Sequence, residues 1–180
     1  MDAAEELIMT RGYNGFSYQD IAPRLGIKTA SIHYHFPKKQ MLGVKVAQRY
    51  AERHSDVLEA LDASYLSAAA KLDRYLVGFH GVVGSGPRVC LCAAVAAEFD
   101  TVGEALRGEI DSFFAFHEEW LERNLEEGRR AGDIAFAGTA GDRATVMFSA
   151  LEGALIVSRG RNDLETFRRV IASLRADLSV

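Results

Sequence analysis

The 180-residue chain has little of what marks several special protein classes. Its two cysteines, Cys90 and Cys92, stand one residue apart, too close for an ordinary structural bridge. A disulfide framework is excluded, and a reducing compartment fits. No run approaches the roughly 18 apolar residues of a membrane span. The opening MDAAEELIMTRGYNG is acidic, where a secretion signal is basic and then apolar. The expectation is a cytoplasmic protein with no membrane partner. There is no P-loop, dinucleotide fingerprint, nucleophile elbow or paired-histidine zinc motif, so neither an enzyme nor a cofactor is expected. The Cys90-x-Cys92 spacing is also wrong for structural zinc, and two thiols buried in a helix are the expected reading.

Prolines are scarce as well, standing only at positions 23, 37 and 87. Between them, apolar residues recur at helical spacing far more often than they alternate. The expected fold is all-α: three short N-terminal helices, then a larger helical domain, with about nine helices in total. The expected boundary lies between 1–41 and 42–180, with no flexible linker. Helices are expected over 2–10, 17–25, 29–34, 41–61, 68–83, 89–99, 103–128, 142–159 and 164–178. A Gly-rich loop at 84–87 ends the fifth.

At 48% hydrophobic and 26% charged residues, the composition is that of a globular protein. The net charge of −4 hides an asymmetry. Residues 1–54 carry eight Lys/Arg against five Asp/Glu, a net of +3, and the remainder carries thirteen against twenty, a net of −7. A polyanionic partner would meet the N-terminal part.

That part holds the strongest local signals. Ser17 can cap a helix, Asp20 three residues on makes a variant capping box, and Phe16 can staple to Ile21. Gly26 stops this helix, and a short second one runs to Phe36-Pro37. A small core of Ile21, Ala22, Leu25, Ile27, Ile32 and Phe36 would lock the two helices at a steep angle. Lys28, Thr29, Ser31, His33, Tyr34 and His35 would remain outside, where hydroxyls meet base edges or phosphates and the Thr29 methyl meets a thymine methyl. Lys38 and Lys39 follow as backbone clamps.

The segment FSYQDIAPRLGIKTASIHYHFPKKQML resembles the DNA-binding signature of the tetracycline repressor family, through Ser17, Ile21-Ala22, Gly26, His33-Tyr34-His35-Phe36 and Lys39. The resemblance covers about the first 45 residues. It implies a dimeric regulator of double-stranded operator DNA, controlled by a small-molecule effector of unknown identity. It places Thr29, Ala30, Ser31 and His33 on bases, and Ser17, Tyr34, His35 and Lys39 on phosphate. Three departures stand out. Pro23 lies inside a helix, at a cost of about 3 kcal/mol. Lys28 replaces the usual small polar residue before the recognition helix. The basic arm that relatives carry ahead of the first helix is absent, so either its contacts are lost or the start lies upstream.

Further along, two adjacent amphipathic helices are expected to form a four-helix homodimer interface through Met147, Leu151, Ala154, Leu155, Phe167, Ile171 and Leu174, with Gly153 and Ala154 allowing close approach. The alternative is that both stripes pack on their own domain. An effector pocket is expected among Phe79, His80, Cys92, Glu98, Phe113, His117 and Trp120, although His117 and the aromatics are core residues first. The competing function is a helical enzyme or binding protein acting on a small apolar molecule through His117, His80 or Cys92. A helix-turn-helix protein that activates rather than represses is equally compatible with the motif.

Overall fold

Four helix starts are set by side chains that the sequence supplies: Ser17, Ser67, Thr139 and Asp163 each accept a hydrogen bond from a main-chain N–H of the first turn they precede. The computed structural model describes residues 1–79 and 88–178, and among these it is all-helical. The nine α-helices of the described residues are α1 (Asp2–Arg11), α2 (Tyr18–Leu25), α3 (Thr29–His35), α4 (Lys39–Asp62), α5 (Ala68–Gly78), α6 (Leu91–Ala96), α7 (Glu104–Ala131), α8 (Ala140–Arg161) and α9 (Leu164–Ala176). A 3-10 turn spans Phe99–Thr101. The helix expected over 89–99 is present as α6, from Leu91 to Ala96, and the loop expected at 84–87 lies outside the described residues.

The chain divides into two compact units, Met1–His54 with Cys90–Phe113, and Ser55–Val89 with Phe114–Val180. The cuts fall inside α4 and α7, and residues 1–41 lie wholly within the first unit. The core of the first unit contains Leu7 and Ile8 from α1, Val46, Ala47 and Tyr50 from α4, Leu91, Cys92 and Val95 from α6, and Leu106 and Ile110 from α7. Packing is tight at Gly43, where a Cβ would stand 2.8 Å from the Tyr13 ring and 3.0 Å from the Leu106 side chain. Ion pairs tie α1 to α4: Arg49 meets Asp2 at 2.6 Å and Glu5 at 2.9 Å, and Arg53 meets Glu5 at 2.5 Å.

The second unit buries Leu72, Tyr75 and Leu76 of α5, Trp120, Leu121 and Leu125 of α7, and the facing stripes of α8 and α9. Those stripes correct an expectation. Met147, Leu151, Ala154, Leu155, Phe167, Ile171 and Leu174 are all buried within the single chain, so they form its core and not a surface for a second copy. At about 1.5–3 kcal/mol for each large apolar side chain removed from water, the strongest stripes are spent on the nearest partner, each other. What α8 leaves outside is a weaker face of Val146, Ser149, Ile156, Val157 and Gly160.

Candidate nucleic-acid interface

The capping box forms as the spacing predicts. Ser17 Oγ accepts from the Gln19 N–H at 3.2 Å, and the Ser17 N–H donates to Asp20 Oδ2 at 2.8 Å. The Ser17 N–H and hydroxyl, both on Asp20 Oδ2, with Arg11 at 3.1 Å from the other carboxylate oxygen, hold the Asp20 carboxyl below its ordinary range. Phe16 and Ile21, the expected staple pair, are both buried. Pro23 is accommodated within α2. Its missing N–H would have served the Gln19 carbonyl, and both residues lie on the exposed side, where water can take that role.

Gly26 ends α2 at φ 65, a left-handed conformation that spares it a Cβ clash, and the Ile27 N–H reaches back to the Ala22 carbonyl at 3.1 Å. This turn aims both its apolar neighbours outward: Leu25 is 50% exposed and Ile27 43%, so neither belongs to the small core expected from the sequence. Ile21, Ala22 and Ile32 do, and Phe36 is half-buried. Tyr18 takes the place of the two missing members. Its hydroxyl donates to the Phe36 carbonyl at 2.7 Å, and its ring meets the His33 ring edge-on at 4.6 Å, joining the start of α2 to the end of α3.

Lys28 precedes α3 with no side-chain cap, as its residue type implies. Lys28, Ala30, Ser31, His33, His35 and Lys38 are exposed, Thr29 is half-exposed, and Tyr34 stands 81% exposed at the end of the helix. Ser17 is exposed too, with its hydroxyl already on Asp20 at 3.0 Å. Lys39 differs from the clamp expected of it. Its ammonium donates to the carbonyls of Tyr13 and Phe16 and lies 4.7 and 4.1 Å from the centroids of their rings. Burial pushes its pKa down, opposed by Glu98 and Asp20. The cation braces the loop before α2 and is not presented to a phosphate.

The residues expected to line an effector pocket do not gather in one unit. Cys92, Glu98 and Phe113 belong to the first and Phe79, His117 and Trp120 to the second, while His80 lies outside the described residues. Glu98 faces the loop before α2, where its Oε2 accepts from the Asn14 N–H at 2.7 Å. Phe113 and Tyr50 bracket His54, with ring centroids 5.1 and 4.5 Å away. Burial, reinforced by Arg53 and opposed by Glu5, pushes the His54 pKa down to about 4.

In the second unit His117 is buried, with Nδ1 at 3.0 Å from the Tyr75 hydroxyl and its ring stacked on Phe148 at 5.3 Å. Trp120 stacks on Tyr75 at 5.2 Å and donates from its indole to Asp62 at 3.0 Å. A cavity of about 270 Å³ in this unit, lined by Ala69, Leu72, Asp73, Leu76, Asp133, Ile134, Arg175 and Leu178, includes none of the expected seven. Among the described residues no group of three or more His, Cys, Asp or Glu side chains is arranged to hold a metal, and no helix is long and apolar enough to cross a membrane.

Comparison with known proteins agrees with this geometry. Residues 1–43 match the model of bacterial regulatory proteins of the tetR family, and residues 84–173 match the C-terminal domain of LmrA/YxaF-like transcriptional regulators. The HTH-type transcriptional repressor DhaR of Mycobacterium sp. (strain GP1) is 22% identical over 179 residues, covering 95% of this chain and 87% of that protein. A TetR-family transcriptional regulator from Agrobacterium tumefaciens superposes with a TM-score of 0.95 at 29% identity, covering 99% of this chain and 95% of the other. A TetR transcriptional regulator from Legionella pneumophila does so at 0.86 and 29%, covering 99% and 94%. A short, exposed α3 braced by Tyr18, at the head of an all-helical chain matched over both parts, identifies the protein as a member of the TetR family of DNA-binding transcriptional regulators.

Proposed function

We propose that the protein is a repressor whose homodimer places one α3 from each copy in successive major grooves of a palindromic operator, about 34 Å apart. Thr29, Ala30, Ser31 and His33 read bases. Ser17, Lys28, Tyr34, His35 and Lys38 contact phosphates. Residues 1–41 act as the DNA-binding part and 42–180 as the effector-binding and dimerisation part. The observation that carries this reading is the uninterrupted exposure of one side of α3, from Ala30 and Ser31 to a Tyr34 that is 81% exposed, on a helix whose other side is buried only through Ile32.

The dimer forms through the outward face of α8, with Val146, Ile156 and Val157 making apolar contact and Gly153 and Gly160, which have no atom within 4 Å of a would-be Cβ, permitting close helix approach. A small molecule releases the operator by binding better to the form that holds the two α3 helices at a different separation. Its site belongs to the 42–180 part.

Selection of duplexes from a random-sequence library by the full chain tests the reading. The expected product is a palindrome with half-sites one helical turn apart, and failure to enrich any sequence at low salt would refute it.

A further inference from the structure

The loop joining α1 to α2 leads directly into the α2–α3 pair, and its main-chain groups are gripped from two directions. From the start of α4, Lys39 takes the carbonyls of Tyr13 and Phe16. From the segment after α6, the Glu98 carboxylate takes the Asn14 N–H at 2.7 Å, and Thr101 Oγ1 takes the Asn14 side-chain amide at 2.6 Å. The Thr101 hydroxyl donates in turn to the Glu98 carbonyl at 2.8 Å, so the three residues form a closed set.

The seating is close. Gly12, at φ +85, leaves room for Glu98 Oε1, which would lie 2.2 Å from a Cβ at that position. A Cβ on Gly103 would meet the Gln40 amide at 2.0 Å. None of these residues is in the DNA-facing set, and Glu98 is an anion beside a surface meant for a polyanion. A carboxylate at that place weakens DNA binding by charge, so its value must lie in what it holds.

We propose that Glu98, with Asn14 and Thr101, is a positioning latch that sets the orientation of the α2–α3 pair and through it the affinity for specific DNA, without touching the DNA. The proposal rests on the DNA-binding reading above. Base readout needs α3 within about 0.5 Å of its productive place, whereas phosphate attraction is tolerant of orientation. Loss of the latch therefore lowers binding to a selected duplex and spares binding to an arbitrary one.

The test compares Glu98→Gln with Glu98→Ala in the full chain. Both remove the charge, so the field on DNA is the same, but Gln retains an acceptor for the Asn14 N–H and Ala does not. The probes are a duplex enriched by the wild-type protein from a random library and a scrambled duplex of equal length. The expected result is that Glu98→Ala binds the enriched duplex about fivefold more weakly than Glu98→Gln, the loss of one neutral amide hydrogen bond, with equal binding to the scrambled duplex.

Equal affinities of the two variants for the enriched duplex, or the same loss on both duplexes, overturn the latch. If Glu98→Ala does not fold, Asn14→Ala and Thr101→Val decide. Each is expected to weaken specific binding by about threefold, and the double variant no further, since they share one hydrogen bond. Additive losses or none overturn the proposal. A wild-type chain that enriches no duplex refutes the DNA-binding reading itself, a result distinct from failure of the latch.

Discussion

Replacing His54 by Phe should remove a definite part of the acid sensitivity of this protein. The imidazole is enclosed by Tyr50 and Phe113, and its pKa is lowered from 6.5 to about 4, first by burial and then by Arg53. In the unfolded chain it regains its ordinary value. Between those two limits the unfolded state binds the extra proton, so stability falls as pH drops through 6.5 and the loss is complete below about pH 4. Linkage over that interval amounts to about 2 kcal/mol lost between pH 7 and pH 4.5. Phe preserves an aromatic ring between its two neighbours and cannot be protonated. Urea unfolding of both proteins at fixed concentration, at pH 7, 5.5 and 4.5, provides the measurement. The wild-type chain should lose about 2 kcal/mol more than His54→Phe across the series, and most of the difference should appear below pH 6. Carboxylates held low in the fold, such as Asp20 and Asp163, titrate identically in both and cancel. Parallel pH dependences would show that the ring is hydrated and that its enclosure has no energetic weight.

Other expectations follow from single contacts. Lys38→Ala should make the salt dependence of DNA binding shallower by about 2 in the log–log slope, one phosphate per copy of the dimer, whereas Thr29→Ala and Ser31→Ala should relax sequence preference with the slope unchanged. Ser17→Ala should cost about 1 kcal/mol of stability through loss of the cap, read as a lower urea midpoint. Ile156→Glu should convert the dimer to monomer in sedimentation with the helical content retained, while Leu151→Ala, deep in the same helix, should destabilise each subunit by about 2–5 kcal/mol.

The legible parts of the molecule were those written in short range. Ser17, Asp20, Gly26 and the aromatic ending at Phe36 lie within twenty residues, and each acts on its immediate neighbours, so the two helices of the motif fall where the spacing predicts. Leu25 and Ile27 were misassigned because hydrophobicity says nothing of the direction a left-handed glycine turn imposes on its flanks. Lys39 was misassigned because resemblance transfers a residue type and not the course of its side chain, which here folds back onto Tyr13 and Phe16. The α8 stripe expected to face a second copy is buried for a thermodynamic reason: the most apolar stripe goes to the partner at highest effective concentration, its own chain, and only the outward face is left for the proposed dimer. Glu98 and Asn14 are 84 residues apart, and no periodicity or motif links them.

The satisfied interior of α8 and α9 bears on how the regulator assembles. Because Met147, Leu151 and Phe167 find their partners without a second copy, a newly made subunit can complete its tertiary structure before it meets another. Under the proposed dimer, association is an equilibrium of its own, governed by how much of the protein the cell makes. Occupancy of a two-armed operator would then rise with the square of subunit supply when copies are few, which turns scarcity itself into a form of control.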